Sequence, residues 1–188
     1  VLERVASDQL VELKGNGSKI EYLGVICMAL ITRKPITPYY VVNIADQRVP
    51  FTGVIAMSNL VASQETNDLH ITYLPKYVHS DDPLLREPDD KLRALFFEGI
   101  DMMFPDLKEE DIESVHINRA VKVQPLQVIN YSKLVPDVIT KHKDFFVLNT
   151  SQFVNNTLNN NEVIRMVENF LEAYGQQLEE PDSFYQTA

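Results

Sequence analysis

The residues able to do chemistry are few and far apart in this chain of 188. Cys27 is the single cysteine, so no intrachain disulfide can form. It stands inside the apolar run from Tyr22 to Ile31, where a buried, inert thiol is expected rather than a nucleophile. The four histidines, His70, His79, His116 and His142, are scattered, and none falls at metal-ligand spacing with another histidine or with Cys27. The carboxylate pairs Asp81/Asp82 and Asp89/Asp90 lie at a loop and at a helix start, where solvation and the helix dipole explain them. There is no Gly-x-Ser-x-Gly elbow and no phosphate loop. Arg119 is the exception. It falls on the apolar side of an alternating strand, so it needs a partner or a solvent path; a substrate carboxylate held bidentately and a structural acid are both open to it.

The elements that would position these residues follow from periodicity. Lys19 to Arg33 predicts a long strand, apolar on both faces through Leu23–Ile31, as for a central strand covered on both sides. Further strands are expected at Tyr39–Ile44, Thr52–Met57 and Leu69–Leu74, joined by short connections that suggest an antiparallel meander. Asp89–Phe104 predicts a helix burying Leu92, Leu95, Phe96, Ile100 and Met103, stopped by Pro105. Lys108–Ile112 suggests a short helical turn. In Ser114–Val123, Val115, Ile117, Val121 and Val123 point one way, and His116, Asn118, Ala120 and Lys122 the other. A short strand is expected at Asp144–Asn149. A second helix is expected at Asn161–Tyr174, with Val163, Ile164, Val167, Phe170, Leu171 and Tyr174 as its buried stripe. An Asn would cap its start and Gly175 its end, with a frayed tail beyond. The fold class is therefore α+β: a mostly antiparallel sheet with helices packed on one face.

Composition narrows the function. The net charge is −10, which excludes the clustered basic face that nucleic acid needs. The longest apolar run is too short to cross a bilayer as a helix. With no signal peptide visible, a cytoplasmic protein is expected.

Several segments, in order, resemble the flavin-containing amine oxidase and protoporphyrinogen-oxidase-like family. They are Tyr22-Leu23-Gly24-Val25-Ile26-Cys27, Pro38 through Asp46, Val49-Pro50-Phe51-Thr52-Gly53-Val54-Ile55 closing with Ser58-Asn59-Leu60, and Tyr73-Leu74-Pro75-Lys76-Tyr77. Asp81-Asp82-Pro83-Leu84, Phe104-Pro105-Asp106 and Arg119-Ala120 through Gln124-Pro125 follow. The resemblance implies that residues 1–143 are a substrate-binding domain, a sheet flanked by helices that roofs a cavity over the flavin. Residues 144–175 would return to the FAD domain by a strand and a final helix, and 176–188 would be a flexible tail. It implies substrate contacts from Asn59, Tyr73, Tyr77, Arg119 and Gln124, and cofactor contacts from Asn149, Asn160 and Asn161. No catalytic residue is named by it. Plain alternatives stand beside these roles: sheet packing for the tyrosines, a turn for Asn59, a strand end for Gln124 and capping for Asn161.

The sequence departs from the family in two places. Asn156-Thr157-Leu158-Asn159 replaces an acidic–basic–glycine tract, and Met166-Val167 replaces small helix residues. The family's opening glycine-rich fingerprint is also absent, and the chain starts at Val1. A piece of a larger FAD-dependent oxidoreductase is therefore expected, inactive alone and completed by a missing FAD-binding domain and a small-molecule substrate. Surface left bare by that domain predicts self-association as a homodimer. The alternative is a binding or association module without flavin chemistry.

Overall fold

The computed structural model describes residues 20–140 and 145–179. Lys19, His142 and Asp144, which enter the expectations above, lie outside them, as does the segment after Glu179. Contacts divide the chain into two compact units. One is Tyr22–Val123; the other holds the described residues from Gln124 onward together with Ile20 and Glu21.

The first unit is built on a sheet of five strands: β1 (Tyr22–Thr32), β2 (Val41–Asn43), β3 (Gly53–Ala56), β4 (His70–His79) and β5 (Ile112–Pro125, which runs on into the second unit). Their order is β2-β3-β4-β1-β5. The expected meander is thus corrected. Only β2, β3 and β4 follow one another, and β1 is inserted beside β4 in an antiparallel register from Leu23↔His79 to Thr32↔His70. The reason is burial: a strand apolar on both faces belongs inside the sheet, and a three-residue strand such as β2 suits an edge. β5 runs antiparallel along the other side of β1. Leu126 N–H meets Glu21 C=O at one end, and Arg33 N–H meets Asp111 C=O at the other. There Lys34 pairs with Asp111 at 2.8 Å and Arg33 with Glu113. The Lys34 ammonium holds the Asp111 carboxyl below its ordinary range.

β4 is longer than expected and runs straight through Pro75. The proline costs the sheet one donor, yet its carbonyl accepts from both the N–H and the hydroxyl of Thr52, at 2.8 and 2.9 Å. In β5 the alternation fails at Val121, which is 53% exposed, while Ile112, Val115 and Ile117 do pack on the core.

In the second unit Phe145–Asn149 forms no strand. Phe146 makes a single bridge to Ile139, and Val147 N–H bonds Val138 C=O. Side chains hold this segment instead. The Gln152 amide donates to Pro136 and Val147 carbonyls, and the buried Tyr131 hydroxyl donates to Ser151 C=O at 2.5 Å. A long helix follows, Asn160–Glu179. It passes through Gly175, so that glycine is no C-cap. No glycine among the described residues has a positive φ, and inside a helix glycine costs only about 1 kcal/mol. The expected buried stripe is also corrected. Phe170 is buried against Phe146 and Tyr174, but Ile164 and Leu171 are 56% and 51% exposed. The helix turns its Met166–Phe170 side, not the Ile164–Leu171 side, toward a cavity of about 340 Å³ within its own unit.

The core of the sheet unit lies on one face only. The even positions of β1, Ile26, Met28 and Leu30, are fully buried with Val54 and Leu74. Helix α1 (Asp89–Met103) covers them with Leu92, Phe96 and Ile100, and Phe96 stacks on Phe51 at 5.7 Å between ring centroids. The long helix of the second unit is accordingly α2. α1 approaches closely because residue 99 is glycine: a Cβ there would lie 2.5 Å from Pro50 Cδ and 2.9 Å from Phe51 Cε1. Gly99→Ala should therefore lose about 1–3 kcal/mol to overpacking despite alanine's better helix propensity. A lower denaturation midpoint at unchanged slope checks this; an unchanged or raised midpoint contradicts the close-approach argument.

Candidate functional site

The other face of the sheet carries the sequence-predicted tyrosines. Odd positions of β1, Leu23, Val25, Cys27, Ala29 and Ile31, stand opposite His79, Tyr77, Pro75, Tyr73 and Ile71 of β4. Register extends one row across four strands, Val41–Ile55–Tyr73–Ala29. Leu23, Val25, Cys27, Ile31, Ile55 and Ile71 are half-buried, and Tyr73 and Tyr77 are 38% and 47% exposed. Helix α1 packs on the opposite face, so within this unit no helix covers this one. The two tyrosines share a strand four residues apart, about 13 Å, and frame the surface over Pro75 and Cys27. Burial pushes the Cys27 thiol above its ordinary pKa, which keeps it protonated and a poor nucleophile. The face can pack an apolar planar group and offer phenolic hydroxyls at its margin.

Asn59 and Arg119 are held by partners of their own. Asn59 lies on the single turn Met57–Leu60 after β3, and its amide donates to the Thr37 and Tyr39 carbonyls at 3.0 and 3.2 Å. That is a turn-pinning arrangement, and it positions the exposed Tyr39. Arg119 reaches the start of α1, where Nη2 donates to the Glu87 carbonyl at 2.8 Å and pairs with Asp89. This is the structural pairing of its two alternatives. Its Nε is buried without a partner among the described residues. Gln124 is half-buried beside Pro125, in the second unit.

Of the predicted cofactor residues, Asn149 caps a turn. Asn149 accepts from Ser151 N–H at 2.9 Å through its side chain and opens the turn Thr150–Gln152. Asn160 and Asn161 begin α2 exposed, while the cap itself is Asn159, whose side chain accepts from Glu162 N–H at 3.0 Å. Free N–H groups at a helix start suit a pyrophosphate. Here, however, the first turn already holds the Glu162 carboxylate, bonded by the Asn156 amide and by Arg165. No glycine lies between Val154 and Asn161 to let a phosphate approach the backbone. These residues do not fit a pyrophosphate.

The sequence reading missed Val41 and Ile55, which complete the four-strand row. The signal was present in β1, whose apolar character on both faces calls for cover on both. Among the described residues, no group of three or more His, Cys, Asp or Glu side chains could hold a metal ion, and no helix is long and apolar enough to cross a membrane.

The architecture has relatives among solved structures. A protein from Exiguobacterium sp. 255-15 named as a protoporphyrinogen oxidase superimposes with a TM-score of 0.52 at 13% identity, over 71% of this chain and 29% of that one. An oxidoreductase from Methanosarcina mazei gives 0.53 at 14%, over 79% and 34%. A reduced UDP-galactopyranose mutase gives 0.52 at 16%, over 66% and 27%. The likeness is one of fold. This chain spans about a third of the length of each. No protein-family model and no curated protein matches the sequence.

The different surroundings of Arg119 and the tyrosines separate on mutation. Arg119→Met should cost about 1–2 kcal/mol by freeing the start of α1. Tyr73→Ser and Tyr77→Ser, at half-exposed sheet positions, should each cost less than about 1 kcal/mol. Denaturant titration of the three variants checks the ranking; a tyrosine loss larger than the arginine loss would make the tyrosines core residues.

Proposed function

We propose that this chain is the substrate-binding and C-terminal portion of an amine-oxidase-like, FAD-dependent oxidoreductase of the cytoplasm, in which the open sheet face shapes a substrate cavity over the flavin. The observation that carries the reading is that face: an apolar surface framed by Tyr73 and Tyr77 with no helix over it in its own unit. The likeness of fold to two oxidoreductases supports it, and so does the chain's span of about a third of each. A flavin held by the FAD-binding domain would supply the redox chemistry, so this reading asks no acid–base constellation of the chain itself. The chain's own part is to exclude water with the β1 and β4 side chains and to orient substrate with the two phenolic hydroxyls. Because the start of α2 does not fit a pyrophosphate, the dinucleotide contacts fall to the FAD-binding domain, and the chain alone is inactive.

A second reading, an association module without flavin chemistry, is favoured by the same α2 start and by the apolar positions Ile164, Val167, Leu171 and Leu178 exposed along that helix. In either reading the bare surface predicts that two copies of this chain pair as a homodimer, and these α2 positions supply such a surface. One measurement separates the readings, and a second tests the pairing. Purified at full natural length without added cofactor, the protein should show flavin absorbance released by denaturation. A colourless protein that also refuses added FAD overturns the first reading. Light scattering of this chain should show dimer mass that Leu171→Glu reduces to monomer; monomer mass at every concentration removes the pairing.

A further inference from the structure

On the helix side of the sheet unit, away from the tyrosine face, a groove of about 490 Å³ runs between α1 and the first part of β5. That volume falls within the range of small-molecule sites. Its apolar wall is Phe97 and Ile100 from α1, and Ile112 and Val115 from β5. The two elements run in opposite directions. β5 begins just after the turn Glu109–Asp111, which closes the loop from the C-terminal end of α1, and Arg119 further along meets Asp89 at the α1 start. The groove therefore has distinct ends.

Charges mark those ends. Arg93 lines the groove nearer the α1 start, its guanidinium 5.2 Å above the Phe97 ring, and it has no ion pair among the described residues. Asp101 lines it in the last turn of α1, with Glu109 on the neighbouring turn, and neither side chain has a hydrogen-bond or ion-pair partner among the described residues. Glu113 differs, being tied to Arg33. Asp101 also sits against the negative end of the helix dipole, with no basic residue in that turn to offset it. A cation placed there relieves both. Arg93 and Asp101 are eight residues apart, about 12 Å along the helix axis.

We propose that this groove binds an elongated zwitterion: a carboxylate on Arg93, an apolar stem along Phe97, Ile100, Ile112 and Val115, and an ammonium between Asp101 and Glu109. The probe is ω-aminooctanoate, titrated into the full chain and followed by the methyl resonances of Ile100, Ile112 and Val115. Saturable shifts at those methyls, without shifts at Tyr73 or Tyr77, are expected. Octylamine and octanoate, each lacking one charge, should bind about three- to fivefold more weakly, as should ω-aminooctanoate to Asp101→Asn and to Arg93→Gln. Absence of saturable shifts overturns the proposal. So does octylamine or octanoate binding as tightly as the zwitterion, a comparison made on the unaltered chain and so independent of how the variants fold.

Discussion

β1 is apolar on both faces through Leu23–Ile31, and the sheet unit is arranged around the need to bury both. Burial of Ile26, Met28 and Leu30 against α1 contributes on the order of 1.5–3 kcal/mol for each side chain. That places α1, and with it Phe96 on Phe51 and the tight contact at Gly99. It also places β1 between the two long strands, β4 and β5, with the short β2 at the rim. Gly24 serves the same end: a Cβ there would lie 2.9 Å from Leu85 and 3.0 Å from the Ala120 and Val121 carbonyls. The strand is packed so closely that a single methyl group has no room.

The opposite face meets the same demand without a helix of its own unit. Leu23, Val25, Cys27 and Ile31 stay half-buried, supported at the sides by Tyr73 and Tyr77. Aromatic rings with a polar tip suit a surface that is apolar in its middle and wet at its edge. The core face and the open face thus come from one strand. What distinguishes the two faces is that α1 covers only one of them.

The α1 helix, the central character of β1 and the α+β class were legible because each rests on local periodicity. Leu92, Phe96 and Ile100 announce their face by spacing alone. Sheet order was not legible, since the pairing of β1 with β4 joins residues some fifty positions apart that no local pattern links. Pro75 hid half of β4, because proline usually marks a strand's end and here loses only its donor. In α2 the apolar stripe was read correctly as a pattern and wrongly as a buried face. Periodicity says that a stripe must be covered, but not by what. Among the candidate site residues, Tyr73 and Tyr77 share one surface because a strand puts alternate residues on one side. Asn59, Arg119 and Gln124 were joined to them only by resemblance; Asn59 and Arg119 bond partners of their own, and Gln124 belongs to the second unit.

The likeness of fold and the start of α2 answer to different constraints. At 13–16% identity a sheet can be kept by many apolar sequences, since volume and alternation are enough to bury its faces. A pyrophosphate cradle has no such tolerance. It needs free N–H groups, a backbone that a phosphate can approach, and no fixed negative charge. Glu162 violates the last of these at close range, and its bonds to Asn156 and Arg165 hold it in place. An architecture can therefore persist where no pyrophosphate cradle exists, and the tyrosine face, which depends only on strand alternation, makes no such demand on the backbone.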